Sequence, residues 1–196
     1  MRLAHAPQPL TSLYSTGGGR KYLTPPERAR FIAASNGHPR PEVRTFCLVL
    51  AFTGCRISEA LSLVAASIEA EECFIAIRCL KKRGRTVIRQ IPVPCELIAL
   101  LQTVHAAPCN GDRLWTWSRS RAWQLVRGLM VDARIVPGVH ATPKGIRHGY
   151  GVHAIRSGVP LNLVQRWMGH ASMTTTAIYL DVIGDEEREI ASRMWQ

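Results

Sequence analysis

Several features are scarce in this 196-residue sequence, and each scarcity excludes a class of protein. No hydrophobic run reaches the ~20 residues that a membrane-spanning helix needs, and the N-terminus has no signal-peptide pattern. The six cysteines form no CxxC pair and no cysteine–histidine spacing suited to zinc, so we expect core or surface thiols and no bound metal. These absences predict a cytoplasmic protein in a reducing compartment, with no membrane partner.

Acidic residues are also scarce, at 14 against 25 lysines and arginines, which gives a formal net charge of +11. A field of that sign attracts phosphate backbones and indicates a DNA-associated protein, although a merely basic surface is the alternative. Residues 181–196 differ, with five acidic and two basic side chains. The tail is therefore expected to have a role other than DNA binding.

The order of helix and strand patterns predicts an α+β fold that is mostly α-helical. Residues 1–20 contain scattered prolines and a glycine run, which indicate a flexible N-terminal arm. A capping box at Thr24–Glu27 begins the first helix, and an apolar i, i+3, i+4 pattern that ends at Gly54 marks the next. The β-rich residues 72–93 predict a small antiparallel β-hairpin or three-stranded sheet, and further helices follow.

Three basic residues lie where they could hold an anion. Lys144 and Arg147 are three apart near the start of a predicted helix, so they share one face beside its partly positive N-terminus. The alternative is an ordinary solvated basic face. Arg56 directly follows a helix end and could form a structural pair with Glu59, which would also fix its guanidinium for a ligand.

His170 and Tyr179 stand nine residues apart after a predicted helix end, and alone each would be an ordinary cap or packing residue. Their setting is more specific. The segments "TGCRISEALSL" and "TPKGIRHGYGVHAIRSGVPLNLVQRWMGHASMTTTAIY", with a lysine hairpin between them, resemble the tyrosine recombinase (phage integrase) family in order and spacing. The resemblance covers residues 21–196 and implies the family's catalytic domain, which is an α+β fold with a small antiparallel sheet.

The resemblance implies a catalytic role for five of these residues. Arg56 and Arg147 match the family's two arginines, and Tyr179 matches its nucleophile. His170, in "GHAS", matches the His/Trp position, and Lys144 occupies a position that is usually histidine. Bidentate arginines can hold the extra negative charge of a phosphodiester under attack. A neutral tyrosine also needs a proton acceptor, for which Lys144 with support from His170 is expected.

The resemblance also implies a hairpin lysine that protonates the leaving 5′ oxygen. Lys81 is preferred, with Lys82 as the alternative because the hairpin is longer than usual. Lys82, Arg83 and Arg85 are expected to contact DNA. The implied activity is site-specific recombination, in which strands are cleaved and rejoined through a covalent 3′-phosphotyrosyl intermediate without metal, cofactor or ATP.

Two other functions stay open. Type IB topoisomerases use lysine at the place that matches Lys144, so DNA relaxation is one alternative, and a non-catalytic DNA-binding regulator is the other. Only about 20 residues precede the predicted catalytic domain at residues 21–182, which suggests a minimal recombinase without the usual N-terminal core-binding domain; an excised catalytic domain is the alternative. The family implies double-stranded DNA as partner and a homo-tetramer in which a C-terminal helix at residues 183–196 docks on a neighbour. An accessory DNA-binding protein is a further candidate partner.

Overall fold

Helices dominate the architecture, which confirms the predicted mostly α-helical α+β class. The computed structural model describes residues 12–79, 87–106 and 111–180. Within these ranges the α-helices are α1 Pro25–Gly37, α2 Pro41–Thr53, α3 Ile57–Ala60, α4 Cys95–Val104, α5 Arg119–Asp132, α6 Pro143–Arg156, α7 Leu161–Met168 and α8 Thr174–Ala177. The strands are β1 Ile68–Glu69, β2 Phe74–Cys79 and β3 Val87–Pro92.

Helix α2 forms the centre of the larger core. Sequence signals mark the start of α1, the helix before it, and the end of α2 itself. The capping box before α1 is present, since the Thr24 backbone donates to Glu27 Oε2 at 2.9 Å. Most of α2 is buried, and it packs against α1, α4 and α6. Gly54 ends α2 with φ of 59°, a left-handed conformation that favours glycine.

The apolar spacing of Ile57, Ala60, Leu61 and Val64 predicts a helix of roughly residues 57–64, but α3 ends at Ala60. The apolar positions continue, but the backbone of Val64 is extended at φ −122° and forms an isolated antiparallel bridge with Arg113. A pairing between segments distant in sequence therefore ends this helix early.

The three strands form one antiparallel sheet in the order β1-β2-β3, which confirms the predicted small sheet. Strands β2 and β3 pair from Phe74↔Pro92 to Cys79↔Val87, so they are the two arms of the predicted hairpin. Their inward side chains include three fully buried isoleucines, Ile75, Ile77 and Ile91. The connection at residues 80–86, with Lys81, Lys82, Arg83 and Arg85, lies outside the described residues.

A smaller core surrounds Tyr179 and includes part of the segment expected to be a flexible arm. Leu13 is 2% exposed within this core, and its carbonyl accepts a 2.7 Å hydrogen bond from the Lys21 backbone. Leu13 therefore packs on the domain, while Tyr14 and residues 16–19 are exposed. Residues 1–11 and the expected terminal helix at residues 183–196 lie outside the described residues.

The expectation of thiols is wrong for two cysteines, because Cys73 and Cys95 form a disulfide. A backbone hydrogen bond from Val93 to the Cys73 carbonyl, at 3.0 Å, brings the start of β2 beside the start of α4. The two Cα atoms are then 5.2 Å apart, although 22 positions separate them in sequence. Of the other cysteines described, Cys47 and Cys55 are buried thiols and Cys79 is half-buried.

In the part of the chain that the structure describes, no helix is both long and apolar enough to cross a membrane. Nor do three or more histidine, cysteine or acidic side chains come together there as a metal-ligand set.

Candidate active site

Five of the predicted catalytic residues line one cleft of about 610 Å³. They come from separate parts of the chain: the α2–α3 junction, helix α6, and the segment after α7. The five are Arg56, Lys144, Arg147, His170 and Tyr179. Tertiary packing therefore gathers residues that the sequence spreads over more than a hundred positions.

Arg56 is held at the N-terminus of α3 by a buried carboxylate. Glu59 Oε2 accepts a 2.8 Å hydrogen bond from the Arg56 backbone N–H. Glu59 Oε1 also forms an ion pair with Arg56 Nη1 at 2.9 Å. The Arg56 side chain is half exposed, whereas that of Glu59 is 2% exposed. The Glu59 carboxylate thus holds Arg56 in position, while the positive charge of the Arg56 guanidinium stays exposed to the cleft.

Glu59 has a second, fully buried partner in Arg89 of β3. Arg89 Nη2 lies 2.6 Å from Glu59 Oε2, and Arg89 Nε donates to the Trp167 carbonyl at 2.7 Å. Burial alone would raise the pKa of the Glu59 carboxyl, but hydrogen bonds and charge from Arg89 hold it below its ordinary value. An ionised Arg89–Glu59 pair therefore connects the sheet to the arginine in the cleft.

Arg147 is buried at the junction of three elements. Its Nη1 donates to the Gly54 carbonyl at 2.7 Å and its Nη2 to the Met168 carbonyl at 2.5 Å. Burial, followed by repulsion from Arg56, lowers the pKa of Arg147 to about 10, so it remains charged at neutral pH. Two cations that repel each other across one cleft create a site that an anion between them would stabilise.

His170 follows the end of α7 and lies beside the tyrosine ring. Gly169 ends α7 with φ of 64°, and His170 Nδ1 is 3.0 Å from Thr176 Oγ1. Its ring stacks on that of Tyr179, with centroids 6.1 Å apart and planes 15° apart. Burial, then the charges of Arg147 and Arg56, lowers the pKa of His170 to about 3, so the ring is neutral at neutral pH.

Tyr179 is 1% exposed and packs flat on helix α6. Gly151 permits this, because a Cβ at that position would lie 2.6 Å from Tyr179 Cζ. Burial raises the pKa of the phenol to about 12, although the charges of Arg147 and Arg56 oppose the shift. The phenol therefore carries its proton at neutral pH and needs an acceptor before it can attack.

The residue that contacts the phenol is one that the sequence analysis missed. His148 Nδ1 lies 3.1 Å from Tyr179 Oη, whereas the predicted acceptor, Lys144, is exposed along the same cleft. The sequence could have indicated His148, because it follows Lys144 by four positions and therefore lies on the same face of the helix. The burial of Arg89 could also have been predicted, since alternation along β3 puts it on the same side as the apolar, buried Ile91.

Known proteins resemble this chain in sequence. The sequence model of the phage integrase family matches residues 21–184. The chain belongs to the phage integrase family. It is 27% identical over 180 residues to a tyrosine recombinase of Thermosipho africanus (strain TCF52B), covering 88% of this chain and 61% of that protein. The tyrosine recombinase resemblance is therefore confirmed.

Solved structures of this family share the fold. The crystal structure of XerA recombinase superposes with a TM-score of 0.72 at 26% identity, covering 88% of this chain and 64% of that one. XerH site-specific recombinase, bound to difH substrate in a pre-cleavage complex, gives a TM-score of 0.73 at 20% identity, covering 93% and 60%. This phage integrase chain thus spans about three fifths of the length of the relatives named here.

Proposed function

We propose that this protein is a site-specific DNA recombinase that cleaves and rejoins strands through a covalent 3′-phosphotyrosyl intermediate. The observation that carries the proposal is the shared cleft, in which two arginine cations face a buried tyrosine. Membership of the phage integrase family and the kinship to a tyrosine recombinase support the reaction class.

Arg56 and Arg147 would hold the scissile phosphate. As the phosphorus becomes five-coordinate, its equatorial oxygens gain negative charge, and planar guanidinium donors can bind them in pairs. Arg147 is already fixed by two backbone carbonyls, so its position costs little reorganisation. Removal of one such electrostatic contact commonly lowers the rate by about 10²–10³.

Tyr179 Oη would form the new bond to phosphorus as the bond to the 5′ oxygen breaks. The leaving oxygen takes a proton from a hairpin lysine, for which Lys81 remains the proposed residue and Lys82 the alternative. The phosphotyrosyl ester conserves the energy of the phosphodiester. Attack by a 5′ hydroxyl of a second strand then reverses the step, so rejoining needs no ATP.

Double-stranded DNA is the proposed partner. The net charge of +11 favours a polyanion, and the cleft also has Lys21, Arg119 and Lys144 along its walls. Lys82, Arg83 and Arg85 are proposed as further DNA contacts. XerH, which has the same fold, is known in complex with its own difH substrate.

The proposed organisation follows the sequence analysis. Residues 21–182 would form the catalytic domain, between an N-terminal arm at residues 1–20 and a C-terminal helix at residues 183–196. That acidic helix would dock on a basic neighbouring protomer, which favours a homo-tetramer on DNA. We also propose an accessory DNA-binding protein as a further partner. The proposed location is cytoplasmic and DNA-associated.

The test uses a nicked suicide duplex drawn from DNA that flanks the gene. Wild-type protein should give a covalent protein–DNA band on a denaturing gel, and Tyr179→Phe should bind the duplex without forming the band. Binding without a band in wild type would contradict cleavage at that site and favour the regulator. Relaxation of a supercoiled plasmid without strand exchange would favour the topoisomerase activity instead.

A further inference from the structure

We propose that His148 is a further catalytic residue of this site, which accepts the phenolic proton of Tyr179 at Nδ1 as strand cleavage begins. The inference rests on the proposed function and assigns the proton acceptor in its first step. It replaces the sequence-based expectation that Lys144 accepts this proton.

The contact between the two side chains carries the inference. His148 Nδ1 and Tyr179 Oη are 3.1 Å apart, which is hydrogen-bond distance, and the ring centroids are 6.0 Å apart. Both side chains line the cleft that contains Arg56 and Arg147. A proton acceptor must be within such reach of the group it deprotonates, and His148 meets that requirement before DNA arrives.

The other two candidates in the cleft are placed differently. The Nδ1 atom of His170 is 3.0 Å from Thr176 Oγ1, and its ring lies parallel to the tyrosine ring rather than meeting the hydroxyl. Lys144 is exposed on the preceding turn of α6. From that position its positive charge can stabilise a phenolate or a phosphate.

The direction of the hydrogen bond follows from the charge states. Burial, followed by the charges of Lys144, Arg147 and Lys21, lowers the pKa of His148 to about 4. The imidazole is therefore neutral at neutral pH, while the phenol of Tyr179, with a pKa near 12, keeps its proton. The phenol donates and Nδ1 accepts, which places the imidazole proton on Nε2.

A phosphate in the cleft would favour the transfer. Three cations that add to the effect of burial on His148, namely Lys144, Arg147 and Lys21, line the same cleft, so the negative charge of a bound phosphate would offset their field. The O–H bond of Tyr179 breaks and the Nδ1–H bond forms as Oη bonds to phosphorus. The 5′ oxygen leaves with a proton from the hairpin lysine. In rejoining, the His148 imidazolium returns its proton to Oη.

The first test measures the rate of covalent complex formation by His148→Gln on the nicked suicide duplex. Glutamine can still hydrogen-bond to the phenol but cannot take its proton, so the rate should fall by about 10²–10⁴, the usual contribution of a positioned base. The control is His153→Gln, a half-buried histidine of the same helix, which should cleave at the wild-type rate. A His148→Gln rate close to wild type would overturn the proposal.

A second variant separates proton transfer from a structural role. A fluorinated tyrosine whose phenol ionises well below neutral pH in water, so that it stays ionised in the buried site, is placed at position 179 in wild type and in His148→Gln. Because such a phenol needs no acceptor, the fluorinated residue should restore most of the rate lost in His148→Gln. A defect that persists would show that His148 acts by packing and would overturn the proposal. Absence of any covalent band in wild type would instead contradict the proposed function, and with it this step.

Discussion

Loss of the buried Arg89–Glu59 ion pair should destabilise the protein far more than loss of an exposed pair. Both side chains are 2% exposed, and the closest nitrogen–oxygen distance is 2.6 Å. In Arg89→Met the Glu59 carboxylate would lose this partner and keep its contacts with the backbone and guanidinium of Arg56. Removal of one partner from a buried pair typically costs about 3–5 kcal/mol, because the remaining charge is left without compensation.

The matched control is Arg40→Met. Arg40 pairs with Glu42 at 2.9 Å, but the two side chains are 43% and 39% exposed, so solvent screens the interaction. Exposed pairs contribute ~0–1 kcal/mol. The measurement is the free energy of unfolding in urea for wild type and both variants.

Covalent cleavage of the suicide duplex is measured on the same proteins at a temperature where all are folded. Arg89→Met should also cleave more slowly, because Arg89 orients the carboxylate that holds Arg56. Equal destabilisation by the two variants, or full cleavage by Arg89→Met, would refute this reasoning.

Two further predictions concern the tyrosine and acid stability. Gly151→Ala should displace the Tyr179 ring, since the added methyl would lie 2.6 Å from Cζ. The variant should lose about 1–3 kcal/mol of unfolding free energy and most cleavage activity. The control is Gly128→Ala on α5, which has open space around it and should be neutral or slightly stabilising. Urea unfolding and the gel assay test both variants. Because the folded pKa of Glu59 lies below its ordinary 4.5, its stabilisation is present above that pH and is lost as pH falls through the folded value. The stability difference between wild type and Glu59→Gln should therefore shrink between pH 5 and pH 3, and a constant difference would count against an ionised Glu59.

The helix ends beside the site could be predicted from local sequence signals, and the residues of the site from the family resemblance. Gly54 and Gly169 end their helices in the left-handed region, and Arg56 and His170 follow soon after each stop. The hairpin also followed from its alternating β-rich runs. Local pattern therefore accounts for the helix ends beside the cleft, whereas the grouping of these residues into one site came from the family resemblance.

The remaining features depend on contacts between distant segments. The Val64 bridge shortens α3, and strand register brings Cys73 to Cys95, which no spacing rule revealed. The choice of His148 over Lys144 as the partner of Tyr179 depends on how the segment after α8 crosses α6. Periodicity places both residues on one helix face, but only packing decides which one meets the phenol.

The central claim is that Tyr179 becomes covalently bound to DNA, and peptide mapping tests it most directly. Wild-type protein is trapped on the nicked duplex, digested with trypsin and nuclease, and analysed by mass spectrometry. The account predicts a nucleotide adduct on the peptide of residues 167–188, attached at Tyr179. An adduct on another residue, or a trapped complex with this peptide unmodified, would contradict it.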